Sequence, residues 1–354
     1  MESLPASLVW IIAALVVVVA WVALARWLFF HDFAFETLEV STEDGWTLKA
    51  RYLSAPQRRF EEPVILCPGL ANNFRMFDVS GPASLARTLA GAGFDVYLVD
   101  LRGVHARRPR GTRRDACVDD HVHFDVPALV KKALEHSRAH KVFWVGHSLG
   151  GLVGLAAAQH PSLPLAGLVA IGSPLFFRHG AITRALLKAG IGAGRIGPLR
   201  ADWAMLPLAP LAGWFSAPFA SGMVNQRNVK GAVQRRAMAS VFSPMWRSVL
   251  AQFHDWETHD AFRSTSGVDW RAGLSAVAAP TLLVAGSADL LADSESMSRA
   301  LALVGAQDKS LLRFGKAHGH LEDYGHGDLL IGNSAAAEVF PPLVKWLSER
   351  ATAS

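Results

Sequence analysis

Cysteine is scarce in this chain: Cys67 and Cys117 are the only two among 354 residues. Two cysteines so far apart support neither a disulfide framework nor a tetrahedral zinc site. Cys67 ends an apolar run and is expected to pack as a small hydrophobe. Charge is also sparse, with only 18% of residues charged, and the net excess of +5 concentrates in "RGVHARRPRGTRR" (102–114). That patch has no interleaved aromatics, so it reads as a solvated loop rather than a nucleic-acid footprint, with attraction to anionic lipid head groups as the second reading. Histidines and acids do gather in "DDHVHFD" (119–125) and "KAHGHLEDYGHGDLLIG" (316–332). Neither has a spacing that converges side chains on one ion, and the first is expected to end a loop and open a helix. No metal and no cofactor are expected.

Charge is missing altogether from Ser3 to Ala25, where "LVWIIAALVVVVAWVALA" is almost wholly apolar. At ~1.5 Å per residue this stretch covers a hydrocarbon core of ~30 Å. A buried core helix would show a polar stripe, and none is present. A cleavable signal peptide competes, because "ALA" (23–25) resembles a cleavage site. Its positively charged leading region is absent, however, and the apolar run is long. The expectation is a single uncleaved anchor over residues 1–30 that holds the protein on a bilayer. Arg26, Arg51, Arg58 and Arg59 follow the run, which by the positive-inside rule places the rest of the chain in the cytoplasm.

Beyond the anchor, "FETLEVSTEDGWTLKARYL" (35–53) alternates around Asp44-Gly45 as a β-hairpin does. Short apolar runs at 63–69, 94–100, 141–146, 165–173, 280–286 and 309–315 read as strands. Helical spacing appears at 82–93, 125–137, 293–305 and 333–350. Asp125 is expected to cap the second of these helices and Asp293 the third. Strands alternating with helices predict an α/β fold with a mostly parallel sheet covered on both faces. Between 174 and 268 the rhythm breaks without a clean strand, and so long a structureless loop is improbable in a compact domain. That stretch is expected to be a helical cap inserted between core segments 31–173 and 269–354.

The segment "KVFWVGHSLGGLVGLAAAQH" (141–160) sets a strand before Gly-x-Ser-x-Gly and an alanine-rich helix after it. A tight strand-to-helix turn strains the serine backbone, and glycines two residues either side leave room for it. The turn lifts the Ser148 hydroxyl clear of the sheet and onto a helix N-terminus, where developing negative charge is favoured.

On these residues the chain resembles the α/β-hydrolase superfamily from about residue 36 to 350, the insertion excepted. "STEDGWTLKARYL", "AGSADLLADSESM" and "DYGHGDLLIG" resemble the acid lipase branch, while "DVYLVDLRG" resembles bacterial esterases and lysophospholipase-like members. The resemblance implies an α/β-hydrolase fold and a Ser-His-Asp triad. Ser148 is then the nucleophile, with Asp289 after "PTLLVAG" as the acid in preference to Asp293. For the histidine, the generic pattern points to His318 or His320, and the lipase-like His-x-Asp pattern to His326, which is preferred. Acyl transfer also needs two oxyanion donors. These are expected to be the amides of Leu149 and of Leu70, the latter in "CPGLANN", where many relatives carry His-Gly and this chain has Pro68-Gly69.

The expected activity is carboxylic ester hydrolysis through an acyl-enzyme. Phe176, Phe177, Trp203, Trp214, Phe215 and Phe219 suggest an apolar lid over a lipophilic ester substrate, although individually each is as well explained by packing. Acyltransfer to an alcohol and a non-catalytic lipid-binding role are the alternatives. Epoxide hydrolase and dehalogenase chemistry is disfavoured because those relatives carry Asp where Ser148 stands. Aminopeptidase activity lacks an evident carboxylate for the substrate ammonium, and no obligate protein partner is indicated.

Overall fold

The computed structural model describes residues 6–30, 35–108, 115–195, 197–214 and 224–354. Eight strands form one sheet: β1 (Glu36–Ser41), β2 (Thr47–Leu53), β3 (Val64–Cys67), β4 (Val96–Val99), β5 (Val142–His147), β6 (Leu165–Ile171), β7 (Thr281–Gly286) and β8 (Lys309–Phe314). Their order is β1-β2-β4-β3-β5-β6-β7-β8. The β1–β2 hairpin and the β2–β4 pair are antiparallel, and every other neighbour is parallel.

Every residue of β3, β4, β5 and β7 is buried. These runs are continuously apolar because helices cover both faces, so neither side of the strand meets water. One face packs Trp144, Leu152 and Trp256, the other Phe143, Phe314 and Phe340. Cys67 is fully buried, and burial pushes its thiol well above the ordinary range. It behaves as a hydrophobe.

Asp125 departs from the expectation. Helical structure begins earlier, at Val118, where the Asp120 carboxylate accepts from the Cys117 amide at 2.9 Å. A wide π turn, His121–Asp125, then leads into the helix Val126–Ser137. The widening comes just before Pro127, whose missing N–H interrupts the α ladder. Asp125 therefore lies inside a helix and caps nothing. Its buried carboxylate accepts from Arg102 Nε at 2.8 Å and contacts His121 Nδ1 at 2.9 Å. Arg102 also donates to Asp44 at 2.9 Å, and only 3% of it is exposed. The basic segment is thus not a solvated loop throughout: its first arginine is an internal tie between the hairpin and this helix. Positions 109–114 lie outside the described residues.

Asp293 does cap the helix Ser294–Leu303, accepting from the amides of Glu295 and Ser296 at 3.0 and 2.9 Å. Between β6 and β7 the chain forms four α-helices among the described residues, Ala181–Ala193, Ala201–Met205, Gly231–Ser240 and Arg247–His259. The helix Ala6–Phe29 precedes the sheet, and its stretch Ser7–Phe29 is long and apolar enough to cross a membrane.

Candidate active site

Ser148 sits between the last residue of β5 and the helix Leu149–Ala157, at φ 52° and ψ −117°. A β-carbon makes positive φ costly, by about 1–3 kcal/mol, so surrounding structure must hold the turn. The Ser148 amide donates to the Ile171 carbonyl at 2.8 Å, and Ser173 Oγ donates to the Ser148 carbonyl at 2.9 Å. The flanking glycines are required by contact. A β-carbon on Gly146 would lie 2.2 Å from the Gly150 backbone, and one on Gly150 would lie 2.1 Å from the Cys67 carbonyl oxygen.

The loop after β3 lies against this turn, with the Gly69 β-position 2.9 Å from Ser148 Cβ. Leu70 and Leu149 line one cavity beside the serine. Among the described residues neither of their amides donates to a backbone acceptor.

Asp289 and His326 meet at the ends of β7 and β8. Asp289 Oδ2 lies 2.9 Å from His326 Nδ1, while Oδ1 accepts from the amides of Leu291 and Ala292 at 2.8 and 2.9 Å. Both side chains are almost wholly buried. Burial opposes the Asp289 charge, but the His326 ring and the two amides outweigh it and hold the carboxyl below the usual carboxylate range. The Gly172 β-position is 3.1 Å from both Asp289 Oδ2 and His326 Nδ1. The segment Ile171-Gly172-Ser173 thus touches the serine turn and the His–Asp pair together. His318 is exposed, and His320 packs on Phe314 and bonds Gly315, so neither joins this group.

Two features were not legible beforehand. His147 is buried under His326, ring centroids 4.7 Å apart, and its Nε2–H donates to the His326 carbonyl at 3.0 Å. Burial, with help from His326, lowers its pKa to about 3, so the ring is neutral, and Nδ1 has no partner among the described residues. Asp328, fully buried, accepts from the amides of Gly325 and Asn225 and from the Asn228 side chain, fixing the loop that presents His326. The His-x-Asp pattern singled out its position without giving this role.

The cavity at Leu70 and Leu149 is small, about 40 Å³, and is walled by Met245, Trp246 and Val249 from the insertion. Phe176 and Phe177 are buried in the core instead, Trp203 and Trp214 face outward, and Phe215 and Phe219 lie outside the described residues. A larger cavity, about 800 Å³, lies between the helix Val126–Ser137 and the turn 159–164, and none of the candidate residues lines it.

This strand-turn-helix serine on a parallel sheet agrees with the family comparison, in which the model for the alpha/beta hydrolase fold matches residues 62–332. The chain belongs to the α/β-hydrolase fold family. Human lipase member M is 32% identical over 135 residues, 34% of this chain and 32% of its own length. The human lysosomal acid lipase/cholesteryl ester hydrolase is 24% identical over 281 residues, 68% of this chain and 67% of its own. The chain thus spans only about a third of the first of these relatives. A thermophilic esterase from Thermogutta terrifontis superposes with a TM-score of 0.61 at 18% identity, over 90% of this chain and all of that one, which shows the fold.

Proposed function

We propose that this α/β hydrolase cleaves carboxylic esters, with Ser148 as nucleophile, His326 as general base and acid, and Asp289 as the group that orients the imidazole. The observation that carries this reading is a serine at φ 52° packed through Ile171-Gly172-Ser173 against a buried His326–Asp289 pair. His326 takes the Ser148 proton as Oγ attacks the acyl carbonyl. The oxyanion forms against the amides of Leu70 and Leu149, and the alcohol leaves with the proton from His326. Water then attacks the acyl-enzyme, losing its proton to His326, and the acid departs as Ser148 regains its own.

Asp289, held ionised, keeps Nδ1 protonated so that Nε2 is the basic nitrogen. Supporting a lipophilic acyl group are the lipase names among the relatives and the apolar wall at Met245, Trp246 and Val249. A cavity of about 40 Å³ holds no more than a water or two. In this reading the insertion acts as a cap beside the acyl site.

The helix Ala6–Phe29 is an uncleaved membrane anchor in this reading, with the catalytic body on the cytoplasmic side. An alkaline phosphatase fusion at the C-terminus that is active in the periplasm would reverse the orientation without touching the chemistry.

Fluorophosphonate labelling of the purified chain, followed by a panel of esters of graded acyl length, tests the catalytic reading. Label is expected on Ser148, with turnover rising from acetate to longer esters. Ser148→Ala is expected to lose at least about a thousandfold in kcat. Undiminished turnover by that variant would sink the proposal.

A further inference from the structure

The helix Ala6–Phe29 does not stand apart from the catalytic body. Val22, Ala25 and Phe29 share one helical face; Ala25 is fully buried and the other two are half-buried. Trp21 Nε1 donates to the Pro207 carbonyl at 2.9 Å. The helix packs against Gly231–Ser240 and against the short 3₁₀ segment Leu206–Leu211. The insertion is therefore strapped to the apolar helix several turns from its start and about two turns before its end.

That same stretch of the insertion carries an unusual outer surface. Trp203, Leu208, Leu211 and Trp214 are exposed by 66, 45, 42 and 76%. Four large apolar side chains facing water within twelve positions are costly, at about 25 cal/mol for each Å² that a partner would cover. Charge around them is one-sided: residues 181–236 hold eight Lys or Arg and one acid, Asp202. Asp202 is itself paired with Arg200 at 2.6 Å.

Depth follows from the helix. Trp21 precedes Arg26 by five residues, which is about 7–8 Å along the axis. With Arg26 at the head groups, the Pro207 contact lies at the depth, roughly 5–10 Å, where interfacial helices bury their apolar faces. Tryptophan prefers that zone, and the basic residues beside it meet the anionic lipid surface.

We propose that Trp203, Leu208, Leu211 and Trp214 form a second membrane contact, seated in the head-group and upper acyl region of an anionic bilayer, which turns the insertion toward the lipid. This rests on the reading of Ala6–Phe29 as an anchor. The insertion also bonds the loop beside Ser148, through the Ser243 amide to the Ala71 carbonyl at 2.7 Å and the Asn73 side chain to the Ser240 carbonyl at 2.9 Å. A bilayer-bound insertion is therefore bonded directly to the loop beside the candidate serine.

Nitroxide depth measurements on the full chain in nanodiscs of phosphatidylcholine and phosphatidylglycerol test this. Labels are placed singly through Trp203→Cys, Leu208→Cys and Trp214→Cys, with Leu15→Cys as the bilayer reference and Lys131→Cys as the aqueous one. Cys67 and Cys117 are buried and leave the introduced thiol as the reactive one. Oxygen accessibility relative to a nickel chelate is expected to be highest at position 15, intermediate at 203, 208 and 214, and lowest at 131. Values at 203, 208 and 214 equal to those at 131, with 15 still lipid-like, overturn the second contact and leave the anchor standing. A water-like value at 15 overturns the anchor reading, and the second contact with it.

Discussion

His147 and Asp289 both carry protonation states set by burial and neighbours, and each gives a measurable consequence. The folded pKa of His147, about 3, lies below its unfolded value, near 6.5. Between those values the unfolded chain binds a proton that the folded chain does not. The ring's contribution to stability is intact above about pH 6.5 and is lost as pH falls toward 3, at up to about 1.4 kcal/mol per pH unit. Replacing His147 by Asn is expected to flatten that slope, read as the difference in urea midpoints at pH 7 and pH 5 between variant and wild type. An unchanged slope would mean the ring is already charged when folded. For Asp289, Asn at this position permits the wrong imidazole tautomer, and a loss on the order of 10⁴ in kcat is expected with the fold retained. The check is steady-state kinetics beside circular dichroism.

Among the secondary elements, the strands were readable because each is a short apolar run bounded by turn residues, with both faces buried. Helix starts were readable only where local chemistry decides them. Asp293 accepts two amides within its own turn, so Asp293→Ala is expected to cost about 1 kcal/mol in chemical denaturation with ester turnover unchanged. Asp125 looked the same in sequence, but its carboxylate is claimed by Arg102, 23 residues earlier. Removing that arginine with Arg102→Ala leaves Asp125 buried without its cation and is expected to destabilise by about 3–5 kcal/mol, measured by urea unfolding. The loop histidines divided in the same way. The residues around His326 marked the acid lipase pattern, whereas Asn225 and Asn228, which help hold its loop through Asp328, come from an irregular stretch with no periodicity to read.

At the scale of the whole molecule, the N-terminal apolar helix and the insertion are in contact, through Trp21 and the Pro207 carbonyl. An uncleaved helix predicts that peptides containing Trp10 are recovered from the mature protein and that it stays in the membrane fraction after alkaline carbonate washing. Mass spectrometry of that fraction checks both. Loss of the segment with retention of ester turnover in the soluble fraction would identify a signal sequence. Phe176 and Phe177 show why the aromatics of the insertion were hard to assign in advance. An aromatic in an insertion packs inward or faces outward according to which helix lies beside it, and the composition of the stretch is the same in either case.

By itself the sequence determined the alternation of strand and helix, the serine turn and the apolar helix, because each depends on neighbours within a few residues. Ser148, Asp289 and His326 could be nominated in order along the chain, with His318 and His320 still open beside the last. Tertiary structure alone decided which histidine meets the carboxylate, that His147 is held neutral beneath it, and that Met245 and Trp246 wall the cavity at Leu70 and Leu149. Those outcomes depend on burial and on contacts between residues from 37 to 179 positions apart, where no local spacing records which groups will meet.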